Sequence, residues 1–132
     1  MPKLIEYKDM DPRAKAVVEA IAAARGIDPG SINNVWKALA RHPSVMEAFA
    51  AEMKVAFAPG KLDPLTKELI YLAVSVTNQC EYCIASHGTM ARRKGMTEEM
   101  HEEFMAVVLA AQKGNKIATA YRVPVDAAFE GA

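Results

Sequence analysis

Apolar residues recur every three or four positions along most of the chain, which is the spacing of one face of an α-helix. Asp11-Pro12 pairs an N-cap with a proline at the first helical position, and the periodic run that follows ends at Arg25-Gly26. A turn at Asp28-Pro29-Gly30 and the interruption at Pro43 delimit a short second helix. That helix carries Val35, Trp36 and Leu39. A third, amphipathic helix begins at about Pro43 and ends at Ala58-Pro59-Gly60. Its apolar face consists of Met46, Phe49, Ala50, Met53 and Phe57.

The segment that begins at Asp63-Pro64 is the most apolar part of the chain. Its centre, LIYLAVSV at residues 69–76, is apolar on almost every side, so periodicity alone would also allow a buried strand. We favour a helix, because a segment of about 16 residues is too long for a typical strand and nothing else in the chain resembles a pairing partner. The pattern predicts a central helix that is the most buried of all.

Three more helices complete the pattern. One begins near Cys80 and ends at Gly95. Three basic residues precede that glycine, namely Arg92, Arg93 and Lys94, and we interpret them as a solvated helix end. Thr97 caps the next helix, which has Gly114 near its end, and a last short helix spans about residues 116–122.

Length and charge narrow the class of protein. A chain of 132 residues can bury one core, so we predict an all-α fold, a single-domain helical bundle of about six to seven helices over residues 1–132. The 16 Lys and Arg balance the 16 Asp and Glu, which leaves no basic excess for nucleic acid. No apolar run reaches the roughly 18 residues of a membrane span, and residues 1–10 lack the pattern of a leader. We expect neither a nucleic-acid nor a membrane partner, and a cytoplasmic location.

The two cysteines, Cys80 and Cys83, form one C-x-x-C. They can close only a small ring, so redox chemistry or metal binding explains them better than a structural disulfide does. At a helix start their Cα atoms would lie about 5 Å apart, within reach of a disulfide. By position alone Cys80 is the more acidic thiol, because it lies nearer the N–H groups of the helix start. His87 follows Cys83 by four residues on the same face, where an imidazole can accept a thiol proton.

Glu68 falls within the apolar stripe of the central helix, three residues after Leu65 and four before Leu72. A carboxylate in such a stripe is costly to bury unless a neighbour pairs with it. We expect that neighbour to be His87 on the adjoining helix.

The spacing of these residues resembles the signature of the alkyl hydroperoxidase D and carboxymuconolactone decarboxylase superfamily. Glu68 is followed by eleven residues, then by Cys80-Glu81-Tyr82-Cys83, then by three residues and His87. The likeness covers a core of about residues 43–112. It implies an all-helical fold with the C-x-x-C at the N-terminus of a helix, and a homo-oligomer, commonly a trimer or a hexamer.

The resemblance also assigns roles by position. In the hydroperoxidase branch, the cysteine that matches Cys83 attacks the peroxide and becomes a sulfenic acid, and the one that matches Cys80 condenses with it to a disulfide. The residues that match Glu68 and His87 form a proton relay. An external dithiol of the lipoyl type restores the thiols, and neither a cofactor nor a metal is expected.

Two features distinguish this chain from the branches of the superfamily. The best-known hydroperoxidase pattern has a second histidine where this chain has Tyr82, and a phenol is a weak base at neutral pH. The decarboxylase branch typically lacks the C-x-x-C, which disfavours lactone decarboxylation here. Tyr82 and Ser86 are expected to flank the site, since Ser86 follows Cys83 by three residues.

Other interpretations stay open at this point. The same redox pair could reduce protein or small-molecule disulfides, with peroxide only incidental. The two thiols could be small buried hydrophobes, or they could bind zinc with His87 if Glu68 or His101 completed the site. The chain would then be a non-catalytic oligomeric module that binds a partner or a metal. His42 and His101 are taken as structural.

Overall fold

The computed structural model describes residues 3–131 and contains only helices, turns and loops in that range. Six α-helices follow one another there: α1 Pro12–Arg25, α2 Asn34–Leu39, α3 Pro43–Ala56, α4 Pro64–Thr77, α5 Glu81–Arg93 and α6 Glu98–Ala120. Short 3-10 segments lie at Tyr7–Asp9, Pro29–Ser31 and Ala127–Phe129. The all-α prediction and the predicted number of helices are confirmed.

The helix starts follow the signals in the sequence. Asp11 accepts a hydrogen bond from the backbone N–H of Arg13 at 2.8 Å, and Asp63 accepts one from the backbone N–H of Thr66 at 3.0 Å. Thr97 accepts one from the third residue of α6 at 3.1 Å. These side chains satisfy N–H groups that the first turn of a helix leaves without a helical partner.

The described chain forms two compact units, one that ends at Ala58 and one that begins at Pro59. In the first unit, α3 packs against α1 and α2. The core of this unit is a cluster of buried residues, namely Met10, Ala14, Val18, Ile32, Trp36, Ala40 and Met46. Our expectation that residues 1–132 form one domain stays a prediction.

The second unit holds both cysteines. In it α4 packs against α5 and, over a shorter length, against α6. The chain passes from α4 to α5 within three residues, and Gln79 in this link has a φ of 57°, in the left-handed region. Leu72 of α4 is buried, as are Gly88 and Ala91 of α5. Because Gly88 and Ala91 are so small, the two helices can approach closely, which brings side chains on their facing surfaces within hydrogen-bonding distance.

One expectation about the second unit is wrong. The helix that begins after Thr97 does not end near Gly114; α6 continues to Ala120 and includes the segment predicted as a separate short helix. One interior glycine costs a helix only about 1 kcal/mol, which the flanking helix formers offset. Among the helices of more than ten residues, α4 has the smallest share of exposed residues, although Ile70 and Val74 are 51% and 55% exposed on a single chain.

No helix among residues 3–131 combines the length and the apolar character that crossing a bilayer requires.

Because α6 continues through Gly114, we can predict whether a substitution there raises or lowers the free energy of unfolding. Gly114→Ala should raise the free energy of unfolding by about 0.5–1 kcal/mol, because alanine is the better helix former and nothing lies within 4 Å of the added Cβ. The matched control is Gly95→Ala, which should lower that free energy, because Gly95 ends α5 with a φ of 105°. Urea denaturation followed by circular dichroism measures both. A destabilising Gly114→Ala would mean that the helix ends at this residue.

Candidate active site

Cys80 and Cys83 are free thiols at the start of α5. Cys80 is the N-cap residue, and its Sγ accepts a hydrogen bond from the backbone N–H of Cys83 at 3.3 Å. A sulfur therefore occupies the position that an aspartate or a serine usually fills at a helix start. Both side chains are partly buried, which leaves each of them a route to solvent.

The two thiols have opposite pKa shifts. The pKa of Cys80 is lowered, first by a hydrogen bond from the Cys83 side chain and then by the backbone N–H of Cys83. The pKa of Cys83 is raised to about 11, first by burial and then by its hydrogen bond to Cys80 and the charge of that residue. Cys80 is thus the more acidic thiol, as its position predicts, and Cys83 holds its proton at neutral pH.

Glu68 and His87 are in direct contact. Nδ1 of His87 lies 2.7 Å from Oε2 of Glu68, whose exposed fraction is only 2%. Because an ionised carboxylate can only accept hydrogen bonds, we assign the proton of the neutral ring to Nδ1 and the lone pair to Nε2. The contact orients the imidazole and leaves it in the tautomer that can accept a proton through Nε2.

Tyr71 connects this pair to the cysteines. Its ring stacks on the imidazole of His87, with 3.6 Å between centroids and 22° between planes. Its hydroxyl shares a hydrogen bond with the Cys83 side chain, which offsets part of the rise in the pKa of that thiol. Burial, followed by the charges of Cys83 and Cys80, raises the pKa of Tyr71 itself, so the phenol keeps its proton at neutral pH.

Lys94 approaches Glu68 from the end of α5. Its Nζ lies 2.6 Å from Oε1 of Glu68, so each carboxylate oxygen has a nitrogen partner. Our interpretation of the cations as a solvated helix end is therefore wrong for Lys94. The sequence carried a usable signal: Lys94 lies seven residues after His87, two helical turns along the same face. Tyr71 was missed in the same way, three residues after Glu68 on α4.

The remaining candidate residues lie at the edge of this arrangement or outside it. Tyr82, in the first turn of α5, is 41% exposed, whereas Ser86 is partly buried. His101 stacks on Phe104 within α6, and His42 is the residue before α3.

A metal site finds no support in the geometry. Among residues 3–131, no group of three or more His, Cys, Asp or Glu side chains is arranged to hold a metal ion. The alternative of a zinc site at Cys80, Cys83 and His87 accordingly lacks the converging ligand set that zinc requires.

The second unit therefore brings together two thiols of different acidity, an oriented imidazole, a buried carboxylate and a phenol. Thiols three residues apart at a helix start can form a disulfide, and an imidazole one turn further along can move a proton to or from the second of them. Such a set of groups can perform thiol–disulfide chemistry without a cofactor.

Comparisons with known proteins agree with the fold and the motif. A model of the carboxymuconolactone decarboxylase family matches residues 43–126. An "Alkylhydroperoxidase AhpD core" from Rhodospirillum rubrum, known from its crystal structure, is 44% identical and superimposes with a TM-score of 0.83, covering 89% of this chain and 86% of that one. This likeness extends over nearly the whole of both chains.

Two curated proteins are also similar. "Uncharacterized protein 4 in cox locus" from Paracoccus denitrificans is 44% identical over 71 residues, 54% of this chain and 64% of that protein. "Alkyl hydroperoxide reductase AhpD" from Solibacter usitatus is 33% identical over 97 residues, 70% of this chain and 51% of that protein. The chain thus spans less than two thirds of the length of either protein.

The family model covers most of the chain, including Glu68, both cysteines and His87, and the AhpD core structure has the same fold. The chain belongs to the carboxymuconolactone decarboxylase family and has the AhpD-like fold.

Proposed function

We propose that this protein is a cysteine-based oxidoreductase that reduces alkyl hydroperoxides, with Cys83 as nucleophile and Cys80 as resolving thiol. The observation that carries the proposal is the placement of the C-x-x-C one helical turn before the oriented Glu68–His87 pair. The names of the Solibacter and Rhodospirillum relatives support the same class of activity.

His87 serves as the base for Cys83. A thiol with a pKa of about 11 is almost fully protonated at neutral pH, so it needs a base at the moment of attack. Residues four apart on a helix have neighbouring side chains, which places His87 beside Cys83. Cys80 lies seven residues before His87, about 10 Å along the helix axis, too far for direct transfer of its proton.

The first step breaks the peroxide bond. As His87 takes the Cys83 proton, the thiolate sulfur attacks the terminal oxygen of the hydroperoxide, and the O–O bond breaks. The leaving alkoxide takes the proton from His87 and departs as an alcohol, so the imidazole returns to its neutral form. Cys83 becomes a sulfenic acid, oxidised by two electrons, while the peroxide is reduced by two.

The second step forms the disulfide. Cys80, the more acidic thiol, attacks the sulfur of the Cys83 sulfenic acid as a thiolate. The S–O bond breaks and water leaves with the proton released by Cys80, which gives the Cys80–Cys83 disulfide. An external dithiol such as a lipoyl group then exchanges with this disulfide and is itself oxidised, which restores both thiols.

Tyr71 assists the nucleophile. The family's second histidine is replaced here by Tyr82, whose side chain is exposed, so we assign no base to that position. Tyr71 instead shares a hydrogen bond with Cys83, and its raised pKa keeps the phenol protonated. A protonated phenol can donate to the forming thiolate and disperse its charge.

In a second candidate function, the two cysteines exchange the roles of attacking and resolving thiol. The lowered pKa of Cys80 favours it as the attacking thiolate in the reduction of a small disulfide, with Cys83 resolving the mixed disulfide. This function requires no proton transfer by His87 to an alkoxide. The two candidates therefore predict different consequences for the same cysteine variants.

We also propose that the protein is a homo-oligomer. Large apolar side chains are exposed on one chain, including Ile70 and Val74 one turn apart on α4, and Val107 and Leu109 on α6. Apolar surface of this extent on helices usually marks a contact with another protein surface, and symmetric self-association is the commonest case.

The peroxidase proposal predicts a distinct product for each cysteine variant. One equivalent of cumene hydroperoxide should convert the reduced wild type to a disulfide, a loss of two hydrogens, within seconds. Cys80→Ser should gain one oxygen on Cys83, because attack proceeds but resolution cannot. Cys83→Ser should react no faster than free cysteine. Rapid quenching followed by mass spectrometry distinguishes the three.

A disulfide substrate provides the comparison. Under the second candidate function, the Cys83→Ser protein should form a stable mixed disulfide through Cys80. His87→Gln should leave the rate of reaction with the disulfide substrate nearly unchanged. For peroxide we expect His87→Gln to slow the reaction by about 10²–10⁴-fold. Oxygenation of Cys80 in the Cys83→Ser protein would overturn the assigned order, and slow oxidation of the wild type would refute the peroxidase.

The pKa shifts predict an asymmetric response to removal of either thiol. Cys83→Ala should raise the pKa of Cys80 toward its ordinary value of 9.0, because the Cys83 side chain supplies the largest lowering interaction. Cys80→Ala should lower the pKa of Cys83 below about 11 but leave it raised, because burial, its largest cause, persists. Titration of thiolate ultraviolet absorbance measures both. A Cys83 that titrates below Cys80 in the wild type would contradict this assignment.

The oligomer is tested by light scattering coupled to gel filtration. We expect a mass that is a multiple of 14.4 kDa, three or six times by resemblance, and a smaller mass for Val74→Glu because a charge would be buried in the contact. The control is Val55→Glu, which lies on an exposed face of α3. A wild-type protein that elutes as a 14.4 kDa monomer at micromolar concentration would contradict the proposal.

A further inference from the structure

The carboxylate of Glu68 joins two basic side chains rather than one. Nδ1 of His87 lies 2.7 Å from Oε2, and Nζ of Lys94 lies 2.6 Å from Oε1. The side chain of Glu68 is 3% exposed, and those of His87 and Lys94 are 14% and 29% exposed. These charges therefore interact in an environment that water screens only partly.

A buried carboxylate paired only with histidine would oppose base catalysis. An adjacent negative charge favours the charged form of an imidazole, and an imidazolium has no lone pair with which to accept a thiol proton. Glu68 alone would thus orient His87 correctly while favouring the wrong protonation state at neutral pH.

Lys94 changes this balance. Its ammonium neutralises the Glu68 carboxylate, so a second positive charge on His87 would give the three side chains a net charge of +1 in a partly buried place. Tyr71 from α4 stacks on the His87 ring, and Cys83 precedes His87 by one turn on its own helix, with Cys80 two turns away. Tyr71 and Cys83 carry protons and no charge at neutral pH, since the pKa of each is raised.

We propose that Lys94 is a positioning residue that keeps His87 neutral by neutralising Glu68, so that His87 is available as the base for Cys83. The inference deepens the proposed function and rests on it, but the charge state of His87 can be measured without any substrate. In this scheme Lys94 acts on His87 through the carboxylate.

The test follows the ring nitrogens of His87 by ¹⁵N NMR as pH is varied. In the reduced wild type we expect the neutral tautomer with its proton on Nδ1 to predominate at neutral pH. In Lys94→Met the charge change of the His87 ring should move to higher pH, because the carboxylate charge is then unbalanced. Lys94→Arg should restore the wild-type titration, since arginine supplies the same charge. Arg93→Met, which removes a charge from the neighbouring exposed position, is the matched control and should change nothing.

Reactivity gives the second readout. The rate of Cys83 alkylation by iodoacetamide, measured in Cys80→Ser protein, should fall severalfold near pH 6 when Lys94→Met is added and should be unchanged near pH 9, as expected when the base is protonated at higher pH. An equal loss of rate at every pH would indicate a purely structural role and overturn the proposal. So would an unshifted His87 titration in Lys94→Met.

The wild type provides a test that does not depend on whether any variant folds. A wild-type His87 that is an imidazolium at neutral pH would overturn the role of Lys94 directly. Failure of the proposed function looks different: the NMR titrations and alkylation profiles would follow the expectations above, while cumene hydroperoxide would oxidise the wild type no faster than free cysteine.

Discussion

The buried carboxylate of Glu68 is the constraint on which the second unit depends. An unpaired charge at 2% exposure would cost several kcal/mol, so the basic side chains that face Glu68 stabilise the packing of α5 on α4. His87 of α5 and Lys94, the residue that follows this helix, contact the two oxygens. A shift of α5 by one turn, about 5.4 Å, would break both contacts. The interaction that fixes the helices relative to each other therefore also fixes the imidazole beside the thiols.

Much of this site could be predicted from the sequence because its chemistry is local. Asp63-Pro64 defines the start of α4, the C-x-x-C marks the start of α5, and a carboxylate in an apolar stripe requires a partner. Lys94 was missed because a cation at the end of a helix is equally well explained by the helix dipole. Helical spacing tells which residues share a face, but not which neighbouring helix that face meets.

The error in the extent of α6 has a similar physical origin. Gly114 carries no signal that separates a helix end from a helix interior, because the conformation of a glycine is decided by what surrounds it. The apolar surface of α4 indicates burial, yet Ile70 and Val74 lie exposed on a single chain. Periodicity shows that a helix face is apolar. It does not show whether the same chain or another protein covers that face.

The two thiols at the start of α5 differ in acidity and are therefore suited to different reaction steps. Cys80, as N-cap, receives hydrogen bonds that favour its thiolate, whereas Cys83 is half-buried, keeps its proton and donates a hydrogen bond to that sulfur. The acidity of each thiol thus depends on the other, and neither shift follows from distance to the helix N-terminus alone. The raised pKa of Cys83 increases its dependence on a base, which the proposed scheme supplies as His87 one turn away, and the lowered pKa of Cys80 reduces that dependence. An attack that must also protonate a leaving alkoxide is served better by Cys83, and an exchange that requires only a thiolate is served better by Cys80.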